Sequence, residues 1–92
     1  MVTPTFSGQT ILIAEGDLET ALDLQDYYVG QGAQVFTAYR WERALEFGER
    51  LQSLSRVVVG KSFAAKAGEL RRRLVGRAIP VICGAEGSPS GG

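Results

Sequence analysis

The stretch that most restricts the fold of this chain is Arg56 to Gly60, RVVVG, with three valines in a row. β-branched residues suit strands, and an unbroken apolar run suits a strand buried on both faces. Such strands belong to parallel sheets covered by helices on either side. Thr10 to Ala14, TILIA, is a second run of this kind. Ala33 to Thr37, AQVFT, and Ile79 to Cys83, IPVIC, complete a set of four.

Helical patterns fill the intervals. From Asp17 the period lengthens, with Thr20, Leu24, Tyr27, Tyr28 and Gln31 on one face. Glu19, Asp23 and Asp26 form an acidic stripe on another. Asp17 is placed to cap this helix, and Gly30 and Gly32 to end it. Arg40 to Leu54 reads as a second helix, with Trp41, Ala44, Leu45, Gly48 and Leu51 or Gln52 facing inward. Lys66 to Val75 reads as a third. Its Arg71, Arg72 and Arg73 step about 100° apart, so they do not make one basic face.

The order is β-α-β-α-β-α-β, which implies a parallel α/β sheet with helices on both faces. Ligands in such sheets sit beyond the carboxyl ends of the strands. The ends to watch are Glu15-Gly16-Asp17, Gly60-Lys61 and Gly84-Ala85. Residues 1–9 are expected to be a flexible lead-in, 10–85 the domain, and 86–92 a flexible tail.

Ninety-two residues suffice for one small domain. Net charge is zero, which argues against wholesale binding to nucleic acid. The charge is uneven: residues 1–50 hold eight acids and three bases, residues 51–92 two acids and seven bases. There is no histidine, which removes the commonest metal ligand and general base. Cys83 is the only cysteine, so neither an intrachain disulfide nor a cysteine-rich metal site forms. Cys83 is expected to be a small buried hydrophobe. No apolar run approaches the ~18 residues of a membrane span, and the N-terminus lacks signal-peptide features. The expectation is a cytoplasmic protein with no membrane partner and no cofactor.

Several stretches resemble the receiver domain of two-component response regulators, which has a flavodoxin-like fold. ILIAEGD resembles its first strand, which usually ends ILIVEDD. ALDLQDYY and GAQVFTA follow its first helix and second strand, and AYRWERAL resembles its second helix. SRVVVG lies over its third strand, Gly68 keeps its glycine spacing from Gly60, and IPVI is close to its fourth strand. The ALDLQD helix especially resembles single-domain receivers of alphaproteobacteria. The resemblance runs from Gln9 to about Ala85 and implies a sheet order of 2-1-3-4. It leaves the family's fourth helix, fifth strand and fifth helix unmatched, so a truncated domain is expected.

The departures bear on function. The family holds Mg²⁺ with an acidic pair and phosphorylates an aspartate at the end of the third strand. Glu15 matches the first acid, but Gly16 stands at the second and Gly60 at the phosphoacceptor. Ala85 stands where a hydroxyl is expected. Glu15 and Asp17 are then relic acids, two carboxylates being poor for Mg²⁺. The resemblance implies a non-enzymatic pseudo-receiver that works by protein–protein contact or dimerisation in bacterial signalling. The expected interface is the fourth-strand edge, Ile79, Pro80, Val81, Ile82 and Cys83, with Thr20, Leu24 and Tyr28 of the first helix. The rival readings are a residual Mg²⁺-binding switch, and an acidic-ligand or nucleic-acid binder using Arg71, Arg72 and Arg73.

Overall fold

The computed structural model describes residues 5–83. Four strands, β1 (Thr10–Ala14), β2 (Gln34–Ala38), β3 (Arg56–Val59) and β4 (Val81–Cys83), form one sheet in the order β2-β1-β3-β4. Every pairing is parallel: Leu12 aligns with Phe36 and with Val57, and Val58 with Ile82. Three helices connect them, α1 (Leu18–Gly30), α2 (Trp41–Arg50) and α3 (Ala67–Arg73). This is the α/β architecture and strand order of the flavodoxin-like fold. Among the described residues no helix is long and apolar enough to cross a membrane.

The apolar runs do what their composition requires. All of β1 is buried, as are Val57, Val58 and Val59. Side chains alternate across the sheet. Leu12, Ala14, Val57, Val59, Val81 and Cys83 face α2 and α3, where Trp41, Ala44, Leu70 and Leu74 meet them. Ile11, Ile13 and Val58 face α1, where Tyr28 closes a smaller core. Each fully buried aliphatic side chain contributes about 1.5–3 kcal/mol of transfer free energy. A short double-faced sheet is therefore an efficient core for a small domain. Gly48 lets α2 and α3 approach closely, a methyl there lying 3.4 Å from Leu70 Cδ1. Trp41 Nε1–H donates to Glu69 Oε1 at 3.1 Å and ties the same helices together. Arg77 donates to the carbonyls of Gly48 and Leu51, partners that the end of α2 otherwise lacks.

Several elements differ from the pattern in the sequence. The inward face of α1 is centred on Ala21 and Tyr28, with Leu24 half-buried, while Tyr27 is 56% exposed. Apolar residues lie on both flanks of this helix, so periodicity alone misplaces its inner face. β2 runs one residue later than expected, ending at Ala38. α2 stops at Arg50, leaving Gln52 exposed and Leu54 buried beyond it. The third helical segment is broken: a 3-10 turn at Lys61–Lys66 precedes α3, and another at Val75–Arg77 follows it. Gly76 weakens helix propagation at the second of these turns. β4 begins only at Val81, because Pro80 has no N–H to give a ladder, although its carbonyl accepts from Val57 N–H at 2.9 Å. The lead-in is anchored rather than loose from Phe6 onward. Phe6 N–H donates to Gln31 O at 2.9 Å, and the Phe6 ring packs 5.1 Å from the Tyr28 ring and 4.9 Å from the Arg56 guanidinium.

Candidate functional site

The sheet's carboxyl end gathers Glu15, Gly16, Asp17, Gly60 and Ser62. Glu15 extends β1 by one ladder bond, its N–H donating to Ala38 O at 3.0 Å. Its neighbour across the sheet is Gly60, whose N–H donates to Ala14 O at 2.8 Å. Glu15 is 1% exposed, so its side chain runs inside the molecule and not into solvent. It lies over Gly60: a Cβ built there would fall 2.0 Å from Glu15 Oε2 and 2.9 Å from Glu15 Cβ. The backbone at Gly60 is ordinary extended chain (φ −78°), so conformation does not demand glycine there. The space does. The room a side chain at position 60 would need is occupied by the Glu15 carboxyl group.

Three hydrogen bonds hold this arrangement. Glu15 Oε1 accepts from Asp17 N–H at 3.0 Å and from the Ser62 hydroxyl. Ser62 Oγ in turn accepts from Gly16 N–H at 2.8 Å. Ser62 therefore ties the loop after β1 to the loop after β3. Glu15 Oε2 is buried with no partner, an arrangement that raises the cost of burying the group. Ser62 is the residue that sequence reasoning missed. A hydroxyl two positions after a strand-end glycine was the available signal.

Asp17 serves a different element. Its Oδ2 accepts from Thr20 N–H at 2.9 Å and Thr20 Oγ1–H at 2.7 Å, capping α1. The Thr20 N–H first, and the Thr20 hydroxyl second, hold the Asp17 carboxyl below the usual aspartate range. Glu15 and Asp17 thus have separate tasks, one inside the sheet and one on the helix. No cluster of three metal-ligating side chains exists among the described residues. Glu15 Oε1 already carries two donors, and its Oε2 points into the space beside Gly60, so the pair does not present an open set of oxygens for an octahedral cation. Lys61 is exposed and makes no ion pair with Glu15. Ala85 lies outside the described residues.

The other expected contact residues are divided. Tyr28, Val81 and Cys83 are buried in the core, and Thr20, Leu24, Ile79 and Ile82 are half-buried; only Pro80 is exposed. The side chains expected at an interface are thus mostly packed within the domain, because short β4 is drawn under α3. Burial raises the Tyr28 phenol, with the nearby Arg56 charge acting in the opposite direction. The three arginines point to different partners. Arg71 donates to Val81 O, at 3.0 Å from Nη2. Arg73 pairs with Glu49 at 2.7 Å and Glu69 at 3.5 Å. Arg72 makes no ion pair among the described residues. They form no common anion site.

No protein-family model matches the chain, and no curated protein is significantly similar to it. The fold and these local contacts therefore carry the functional reading.

Proposed function

We propose that this domain is a non-phosphorylatable pseudo-receiver, a protein-interaction module of bacterial signal transduction that works in the cytoplasm without catalysis or cofactor. The observation that carries the reading is the Glu15 side chain lying in the space of a residue-60 side chain. In a receiver that space belongs to the phosphoaccepting aspartate. Here position 60 has no nucleophile, and no aspartate follows Asp26 in the sequence to substitute for it. Phosphoryl transfer depends on positioned groups and charge neutralisation, so losing nucleophile and metal pair together removes the reaction. What such a domain retains is its surface, and its partner is a second copy or another signalling protein.

The test is intact-mass measurement after incubation with a small phosphodonor and Mg²⁺. The expected outcome is an unchanged mass, with no acid-stable or acid-labile phosphoryl adduct. An adduct on any residue of the β1 or β3 ends would refute the proposal. So would a Mg²⁺-dependent chemical shift change confined to Glu15, Gly16 and Ser62. The mixed directions of Arg71, Arg72 and Arg73 speak against the rival anion-binding reading.

A further inference from the structure

Among the described residues the sheet has two outer strands, β2 and β4, and their surroundings treat them differently. At β4 the outward carbonyl of Val81 is taken by Arg71, from Nη2 at 3.0 Å and Nε at 3.3 Å. A guanidinium on an edge carbonyl obstructs another strand. Among the described residues β2 has no such guard. Gln34 N–H donates to Gln9 O, and Ala38 O accepts from Glu15 N–H. That phase turns Gln34, Phe36 and Ala38 toward β1, and the backbone groups of Val35 and Thr37 outward. Among the described residues no hydrogen bond reaches those outward N–H and C=O groups.

α1 adds apolar surface on the same side. The helix lies over β1 and β2. Thr37 Oγ1–H donates to Gln25 Oε1 at 3.2 Å, so the Gln25 flank is the one nearest β2. Leu18, Leu22 and Val29 fall within about 60° of Gln25 around the helix at about 100° per residue. They are 61%, 44% and 52% exposed. An unpaired strand edge and an uncovered apolar stripe thus face the same way.

We propose that β2 and the Leu22–Val29 flank of α1 form a two-fold interface with a second copy of this chain, an inference that rests on the interaction-module reading above. β2 pairs antiparallel with its copy, with Phe36 on the axis. Val35 stands opposite Thr37 of the second copy, and the two such pairs exchange four backbone hydrogen bonds. α1 lies about one strand spacing from the axis, so the two copies of α1 run antiparallel about 10 Å apart, a helix-packing distance. The Gln25–Thr37 contact sets the level of the helix along the strand. Leu22 and Val29 then lie on opposite sides of the Phe36 level, and Leu22 meets Val29 of the second copy. A second copy is the occupant because one surface supplies both halves: donor faces acceptor and apolar faces apolar, as a two-fold contact requires.

The size of the patch sets the strength. β2 is about 17 Å long, and the stripe from Leu18 to Val29 about the same. A contact of that length belongs with the small specific interfaces, below about 1,200 Å² in total, so the dimer is reversible. Glu19, Asp23 and Asp26 lie on the far side of the stripe and make no ion pair among the described residues. Dimerisation brings two rows of carboxylates toward each other, so screening by salt strengthens it. A contact held by opposite charges would respond in the reverse sense.

Sedimentation velocity on the full chain, between about 1 µM and about 1 mM, tests this. The expected result is a monomer–dimer equilibrium that tightens between ~0.05 and ~0.5 M salt. The double change Leu22→Glu with Val29→Glu, at exposed positions, should weaken the dimer at least about tenfold. Thr37→Pro removes an outward N–H that an edge strand can spare and should do the same. Arg71→Ala should leave the dimer's response to both changes intact. Circular dichroism checks each fold, and the two interface variants act on different elements, so misfolding of one leaves the other decisive. A monomer throughout, or a dimer indifferent to the folded variants, overturns the proposal. A phosphoryl adduct would sink the interaction-module reading whatever the oligomeric state; an unphosphorylated monomer would sink only the dimer.

Discussion

Gly60 at the end of β3 and Gly16 at the end of β1 look alike in sequence, each a glycine at the carboxyl end of a buried central strand. A side chain would meet very different surroundings at the two. At Gly60 the first methyl falls 2.0 Å from Glu15 Oε2 and 2.6 Å from the carboxyl carbon. At Gly16 the nearest atoms are the Phe63 ring edge at 3.2 Å and Ser62 Oγ at 3.3 Å. Gly16 is exposed, and its two nearest neighbours are side chains that need give only a few tenths of an ångström. Two glycines that look equivalent in sequence are therefore held by different forces. Gly60 is kept by packing, because Glu15 fills the space beside it. Gly16 is free of that constraint.

The largest expected effect tests the packed end. Gly60→Ala should cost about 2–3 kcal/mol in urea or thermal unfolding, the upper range for overpacking. Gly60→Asp, which puts a carboxylate at the β3 end, should cost at least as much, with no gain in phosphorylation. Shortening Glu15 to alanine in the Gly60→Ala background should recover at least about 1 kcal/mol of that loss, since the two residues share one space. Additive effects of the two changes would break the comparison, because the close approach would then not be the cause.

Ser62→Ala ranks next. It removes one donor to Glu15 Oε1 and leaves the Gly16 N–H without its acceptor. An unfolding cost of about 1–2 kcal/mol is expected for a bridging hydroxyl of this kind. Gly16→Ala should change stability by less than about 1 kcal/mol, because the position is exposed and its neighbours are movable. If Gly16→Ala proved as damaging as Gly60→Ala, the contrast between the two ends would disappear.

The parts legible in sequence were those set by composition over several residues. TILIA and RVVV have no polar alternation to mark an outside, so both faces had to be covered, and the parallel sheet followed. That the ends of β1 and β3 lie side by side comes instead from the 2-1-3-4 order, which the resemblance implies and the sheet has. The contents of the site were less legible. Nothing in the letters Glu15 and Gly60 says that one side chain occupies the other's space; that depends on a rotamer chosen inside the fold. Ser62 is easily passed over because its task comes from the 3-10 turn at Lys61–Lys66, which a helical reading beginning at Lys66 leaves out. The sequence offers Arg71 only as a candidate basic contact, because the carbonyl it engages belongs to β4, ten residues on. The inner face of α1 was misplaced because Leu18, Leu22 and Val29 are apolar and exposed. That same ambiguity is what makes the β2 side of the helix a candidate contact surface.

The smallest expected effect concerns what remains at the end of β1. Asp17 is exposed, and its carboxylate accepts from the Thr20 N–H and hydroxyl. These bonds favour the ionised form and hold its pKa below the ordinary value of 3.8. A lowered folded-state value means that the unfolded chain binds the proton first as pH falls. The cap's contribution is therefore present above about pH 4 and is lost as pH falls through the lower folded value. Asp17→Asn keeps a capping oxygen and cannot ionise, so its contribution should be flat over the same range. Thermal unfolding of the two proteins between pH 6 and pH 2 should converge toward the acid end, because the other carboxylates titrate alike in both and cancel in the difference. Parallel curves would mean that Asp17 is not spent on the helix. Mg²⁺ added at neutral pH supplies the second arm: a cation held by Glu15 and Asp17 together would raise the stability of the native chain and not of Asp17→Asn. The separate tasks of the two acids predict no such difference, since one is committed to the space beside Gly60 and the other to the first turn of α1.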